Sequence, residues 1–150
     1  MQINPVKALL LLALIISLPA TAYASDTIKP FTTDGCSLFP DGYINDRELW
    51  QACCIQHDMA YWQGGTWQQR LDADRQLKAC VTQLGEPKIA ELMLNGVRVG
   101  GSPYWPTGFR WGYGWDYLRG YKPLTDSEKQ SVQQALHEYK KAHAAAKGKP

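Results

Sequence analysis

Two adjacent cysteines, Cys53 and Cys54 in "ACCIQHDMAYWQGG" (52–65), constrain this chain more than any other feature. Neighbours on one helical stretch cannot bridge each other without strain, so each must find a partner elsewhere. The remaining cysteines are Cys36 and Cys80. Either of the two pairings left ties this stretch both to a segment upstream and to one downstream. Whatever it carries is pinned from two sides.

Whether those cysteines are oxidised depends on the compartment. Lys7, the apolar run Ala8 to Leu18 and the small residues of Ala22-Tyr23-Ala24 read as an export signal over residues 1–24. The run is too short for a membrane span, and nothing else in the chain reads as one. A mature chain from about Ser25 is therefore expected to be secreted or periplasmic. It is one domain's worth of sequence, 25–150. An even cysteine count behind such a signal favours disulfides over a zinc set of Cys36, Cys53, Cys54 and His57.

The formal charge is only +2, but it is unevenly spread. From Arg110 onward basic residues outnumber acidic ones eight to four, whereas Ser25 to Phe109 is net acidic. A basic tail suits a solvated helix face or an anionic lipid surface. No nucleic-acid motif accompanies it, so no nucleic-acid partner is expected.

There is no internal repeat and no heptad pattern. Residues 25–45 read as a loop, with Asp34-Gly35 and Pro40-Asp41-Gly42 as turn chemistry. A first helix is expected after Asn45 or Asp46, with Asn45 and Glu48 as a capping box and Gly64-Gly65 as its stop. Cys53, Cys54, His57 and Tyr61 then share its inward face. A second helix runs from Trp67 or Gln68 to Leu84, closed by Gly85, with Leu71, Asp74, Leu77 and Cys80 as its stripe. An acid within an apolar stripe is an anomaly that calls for a partner. A third helix follows Pro87, turns Ile89, Leu92, Met93 and Val97 inward, and ends at Gly100-Gly101. The segment 103–124 is rich in Trp, Tyr and Gly, as strand-like ribbon or ordered loop. A last helix, 125–146, opens with the capping box Thr125 to Glu128.

If Cys53 pairs with Cys80 and the first two helices run antiparallel, the chemistry falls into line. Four residues from Cys53 to His57 advance roughly 6 Å, and six back from Cys80 to Asp74 retreat roughly 9 Å, so the two side chains end nearly level. A histidine facing a semi-buried carboxylate is a base with an orienter, and Tyr61, one turn on, reaches the same partner. Asp58 points about 100° away, toward the loop of Asp34 and Asp41. Carboxylates with exposed carbonyls suit calcium, a hard cation.

At this point the residues resemble a family. Cys-Cys-x-x-His-Asp-x-x-Tyr, here Cys53 to Tyr61, is similar to the catalytic-helix signature of the secreted phospholipases A2. Asp74-Arg75 followed by Cys80 resembles that family's second-helix run, and "TDGCSLFPDG" (33–42) looks like the loop of its short bacterial and fungal branch. The likeness spans Thr33 to Cys80. Ser37-Leu38-Phe39-Pro40 stands where the animal loop has glycines, and the short interval from His57 to Asp74 leaves no room for a β-wing.

The resemblance implies a mostly α, phospholipase A2-like fold, two antiparallel disulfide-linked helices with a calcium loop; the Trp/Tyr/Gly-rich segment and the C-terminal helix read from this sequence have no counterpart in that family. It implies calcium-dependent hydrolysis of the sn-2 ester of glycerophospholipids by a monomer at a membrane or micelle surface. His57 would be the base, Asp74 and Tyr61 its orienters, and Asp58, Asp34 and the Gly35 carbonyl the calcium ligands. The disulfides implied are Cys36–Cys54 and Cys53–Cys80. The competing reading is a catalytically silent scaffold that binds a membrane or a protein. Trp105, Trp111 and Trp115, near Arg110, Arg119 and Lys122, are candidate membrane-interface residues, the alternative being a lid that completes a small core.

Overall fold

The computed structural model describes residues 27–147, so the export signal expected over 1–24 lies outside the described residues. Among them the chain forms four helices: α1 (Gln51–Gln63), α2 (Trp67–Gln83), α3 (Pro87–Gly100) and α4 (Asp126–Lys147). The one β-type pairing there is an isolated bridge between Tyr43 and Asp46. No described helix is long and apolar enough to cross a membrane. The disulfides are Cys36–Cys54 and Cys53–Cys80.

α1 begins four or five residues later than Asn45 or Asp46 suggests, and its N-cap is Trp50, with no side-chain cap hydrogen bond. The anchor is Trp50, which is buried and donates its indole N–H to the Pro40 carbonyl at 2.6 Å and its backbone N–H to the Asp41 carbonyl. Burying that ring folds 43–50 into successive turns and delays the helix until Gln51. α2 starts where its sequence predicts, with Thr66 and Gln69 forming a reciprocal capping box. Pro87 sits in the first turn of α3, where its missing N–H has no intrahelical partner to lose.

Contacts show how the helices run. Cys53 meets Cys80, His57 meets Asp74 and Tyr61 meets Arg70, so residue numbers fall along α2 as they rise along α1. Lys78 meets Glu91 and Leu71 meets Arg98, so α3 is antiparallel to α2 in turn. Trp50, Leu77, Val81, Ala90 and Met93 close the core around both disulfides. The inward stripe of α3 is narrower than its sequence suggests. Met93 is buried, Ile89 and Val97 pack partly against the core, and Leu92, which lines a cavity rather than the core, is more than half exposed.

The aromatic segment is a chain of turns rather than a ribbon. It wraps the C-terminal end of α1, whose last carbonyls need partners from outside the helix. Gly112 N–H donates to Tyr61 O, Gly114 N–H to Trp62 O, and the Trp115 indole to Gln63 O at 2.8 Å. Glycine is required at 114, where a Cβ would lie 2.5 Å from the Trp62 indole nitrogen. Behind this end of α1, Phe31, Trp62, Trp115 and Val132 of α4 form a second core. α4 carries the expected capping box, with Glu128 N–H on the Thr125 hydroxyl and the Glu128 carboxylate accepting from Thr125 N–H.

Candidate active site

His57, Asp58 and Tyr61 project from α1 and are largely buried. The His57 Nε2 lies 3.0 Å from Oδ1 of Asp74, which is 0% exposed. An ionised carboxylate only accepts, so Nε2 carries the proton. Nδ1 is then the nitrogen left for whatever enters the adjacent cavity. Tyr61 donates its hydroxyl to the same Oδ1 at 2.7 Å, and burial pushes its phenol far up from the ordinary range, keeping it a donor. Asp74, the acid anomalous in its stripe, is thus the hub of the site.

Two arginines complete the surroundings. Arg98, from the last turn of α3, brings its Nε within 2.8 Å of Asp74 Oδ2. Arg70, almost wholly buried, donates to the Tyr61 and Tyr121 hydroxyls and to the carbonyls of Val97 and Arg98. Arg75, which supplies the family-like Asp-Arg pair, is exposed and, among the described residues, bonds to Asp72 alone. Arg70 was findable, because it lies four residues before Asp74 in the stripe of α2. Arg98 was not, since only the antiparallel docking of α3 brings it to Asp74.

On the cavity side, His57, Asp58 and Tyr61 border a space of about 320 Å³ whose other walls include Leu38, Phe39, Leu92, Met93, Val97 and Phe109. Size and apolar lining are those of a small-molecule site with a few polar groups in its wall. Gly96 also lines it, with open space where a Cβ would point. A second space of about 290 Å³ lies on the other side of Asp58, bordered by Thr33, Asp34, Ser37, Phe109 and Tyr113. Asp58 belongs to both.

The Asp58 carboxylate accepts from the Thr33 hydroxyl at 2.6 Å. Burial, with Asp34 and Asp41 adding repulsion, raises its pKa from the ordinary 3.8 to about 7, although the Thr33 bond pulls the other way. Asp34 lines the second space and takes the Ser37 hydroxyl, while Gly35 lines the first. At Gly35, φ is +79° and a Cβ would collide with the Asp41 carboxylate, which accepts the Cys36 N–H at 2.7 Å. The loop is thus bent around Asp41 and presents Asp34 and Gly35 beside Asp58. Thr33, the first residue of the family-like loop motif, is a further polar contact to which the sequence alone assigns no role.

Of the expected interface tryptophans, Trp111 and Trp115 are 1% and 3% exposed and belong to the core. Their indole N–H groups are needed inside, on the Gly65 and Gln63 carbonyls. Trp105 is 55% exposed, near exposed Tyr104 and Val99. All four cysteines are spent in disulfides, which removes the zinc reading. No family model, curated protein or solved structure matches this chain.

Proposed function

We propose that the protein is an exported, calcium-dependent hydrolase of the phospholipase A2 type, cleaving the sn-2 acyl ester of glycerophospholipids. The observation that carries this reading is the His57–Asp74 pair, whose histidine borders a mainly apolar cavity together with Asp58, with Asp34 lining the neighbouring space that Asp58 shares. The antiparallel α1 and α2, joined by Cys53–Cys80, support a phospholipase A2-like frame. Two disulfides fit an oxidising compartment.

His57 Nδ1 accepts a proton from water, whose oxygen attacks the ester carbonyl carbon. The same proton is then delivered to the leaving glycerol oxygen, so that fatty acid and lysophospholipid result. Asp74 and Tyr61 fix the plane of the imidazole and keep Nε2 protonated, and Asp74 offsets the charge that develops on the ring. The apolar walls hold an acyl chain and exclude bulk water.

The donor set beside His57 fits a hard cation: among the described residues Asp58 keeps one oxygen without a hydrogen-bond partner, and burial with neighbouring carboxylates makes its charge costly unless a cation offsets it. Asp58, Asp34 and the Gly35 carbonyl would hold calcium, which supplies the positive charge that polarises the ester carbonyl. Trp105 and the exposed Leu38 and Leu92 offer apolar contacts to a membrane or micelle surface.

The test is fatty acid release from mixed phospholipid micelles, with calcium and with chelator. Release that needs calcium is expected. Micelle binding with no release under either condition would leave a silent binding module instead.

A further inference from the structure

We infer that Arg98 is a positioning residue for the His57–Asp74 pair, and that it does this from a helix outside the recognisable motif. The inference rests on the proposed role of His57, and it concerns which group fixes the Asp74 carboxylate in space.

The terminal torsion of an aspartate is broad, so nothing within Asp74 sets the plane of its carboxylate. Its partners do. Oδ1 takes both the His57 and Tyr61 donors. Oδ2 is buried and has no aligned hydrogen bond, and what it faces is the Arg98 guanidinium, Nε at 2.8 Å. The contact is charge on charge. Without it, a carboxylate oxygen wholly removed from water would face no counter-charge, and rotation toward another donor would lower its energy. That rotation withdraws Oδ1 from His57.

Arg98 is itself held at both ends. Its Nη2 donates to the Leu71 carbonyl on α2 at 3.1 Å. Its own carbonyl, in the last turn of α3, accepts from buried Arg70, which also takes the Val97 carbonyl. Arg70 is a cation at a helix C-terminus, where carbonyls lack intrahelical donors and attract positive charge. It therefore clamps the end of α3 onto α2 and delivers Arg98 at the height of Asp74. Gly101 belongs to the same device: a Cβ there would collide with the Tyr61 ring. A lysine at 98 would restore a point charge but not the two-pronged reach to Asp74 and Leu71.

The experiment is NMR of the His57 ring in the full chain, assigned with His57→Gln and paired with steady-state kinetics. Wild type is expected to show the Nε2–H tautomer with a slowly exchanging ring proton. Arg98→Gln should mix the tautomers and speed that exchange, and should lower kcat about 10- to 100-fold with KM little changed. Arg98→Lys should restore part of both. An unchanged tautomer and exchange rate in Arg98→Gln would overturn the inference. Should that variant not fold, Arg98→Lys decides: faster ring-proton exchange supports the role, and a wild-type rate removes it. If wild type proves inactive while the ring still responds to Arg98, the positioning stands and the hydrolase reading falls.

Discussion

Helix α1 is fastened in opposite ways at its two ends. Toward its N-terminus, Cys53 and Cys54 lock it covalently to α2 and to the loop of Cys36. At its C-terminus no covalent link exists, and Gly112, Gly114 and Trp115 cap its carbonyls from the aromatic segment. His57, Asp58 and Tyr61 lie between. Covalent fastening sets register, because a staple fixes which residue of α2 stands opposite which residue of α1. Hydrogen-bonded fastening sets closure, because it seals the helix end and seats the second core.

The largest effect belongs to the residue between the two ends. His57→Gln is expected to lower ester hydrolysis by at least about 100-fold, with the fold intact by near-ultraviolet circular dichroism. Activity within a few-fold of wild type would detach the chemistry from α1 altogether.

The two ends themselves should differ in what their loss costs. Cys53 and Cys80 enclose a sequence separation of 27 residues, and replacing both by serine should cost about 3–4 kcal/mol in denaturant unfolding. The surviving folded fraction should also be poorly active, because His57 and Asp74 lose their common height. At the other end, Gly114→Ala forces Trp62 to move and should cost about 1–3 kcal/mol. Its folded fraction should keep near-wild-type kcat. Equal loss of kcat at both ends would erase the distinction between register and closure.

A smaller effect tests the loop that Cys36–Cys54 holds. Because burial raises the Asp58 pKa to about 7, the folded protein binds more protons than the unfolded chain between the ordinary carboxylate range and that value. The associated stability is present at acid pH and is lost as pH rises through about 7. Calcium requires the ionised form, so the calcium-induced rise in Tm should grow from pH 5.5 to pH 8. Asp58→Asn should abolish that growth. The smallest effect is expected at Arg75: exposed and paired with Asp72 on the helix surface, it should change stability by less than about 0.5 kcal/mol and activity less than about twofold when replaced by alanine.

The same contrast explains what was legible in the sequence. Cys53, His57, Tyr61, Asp74 and Cys80 announce themselves through helical spacing, and the helices at 67–83, 87–100 and 126–147 have local start and stop signals. Where a fastening depends on tertiary contact, those signals mislead or fall silent. Asn45 and Glu48 look like a cap, but the burial of Trp50 wins and the helix starts at Gln51. Trp111 and Trp115 carry the composition of an interface, yet the Gln63 carbonyl at the end of α1 and the Gly65 carbonyl just past it draw their indole N–H groups inside. Arg98 has no local signature at all, because its meaning comes from the register of α3 on α2.

In the proposed function His57, set by Asp74 beside an apolar cavity, drives hydrolysis of one particular ester. The decisive measurement is mass spectrometry of the products from a phospholipid bearing different sn-1 and sn-2 chains, with calcium present and wild type compared with His57→Gln. Release of the sn-2 acid alone by wild type, with none by the variant, is the predicted result. Undiminished release by His57→Gln, or no release by wild type, would contradict it.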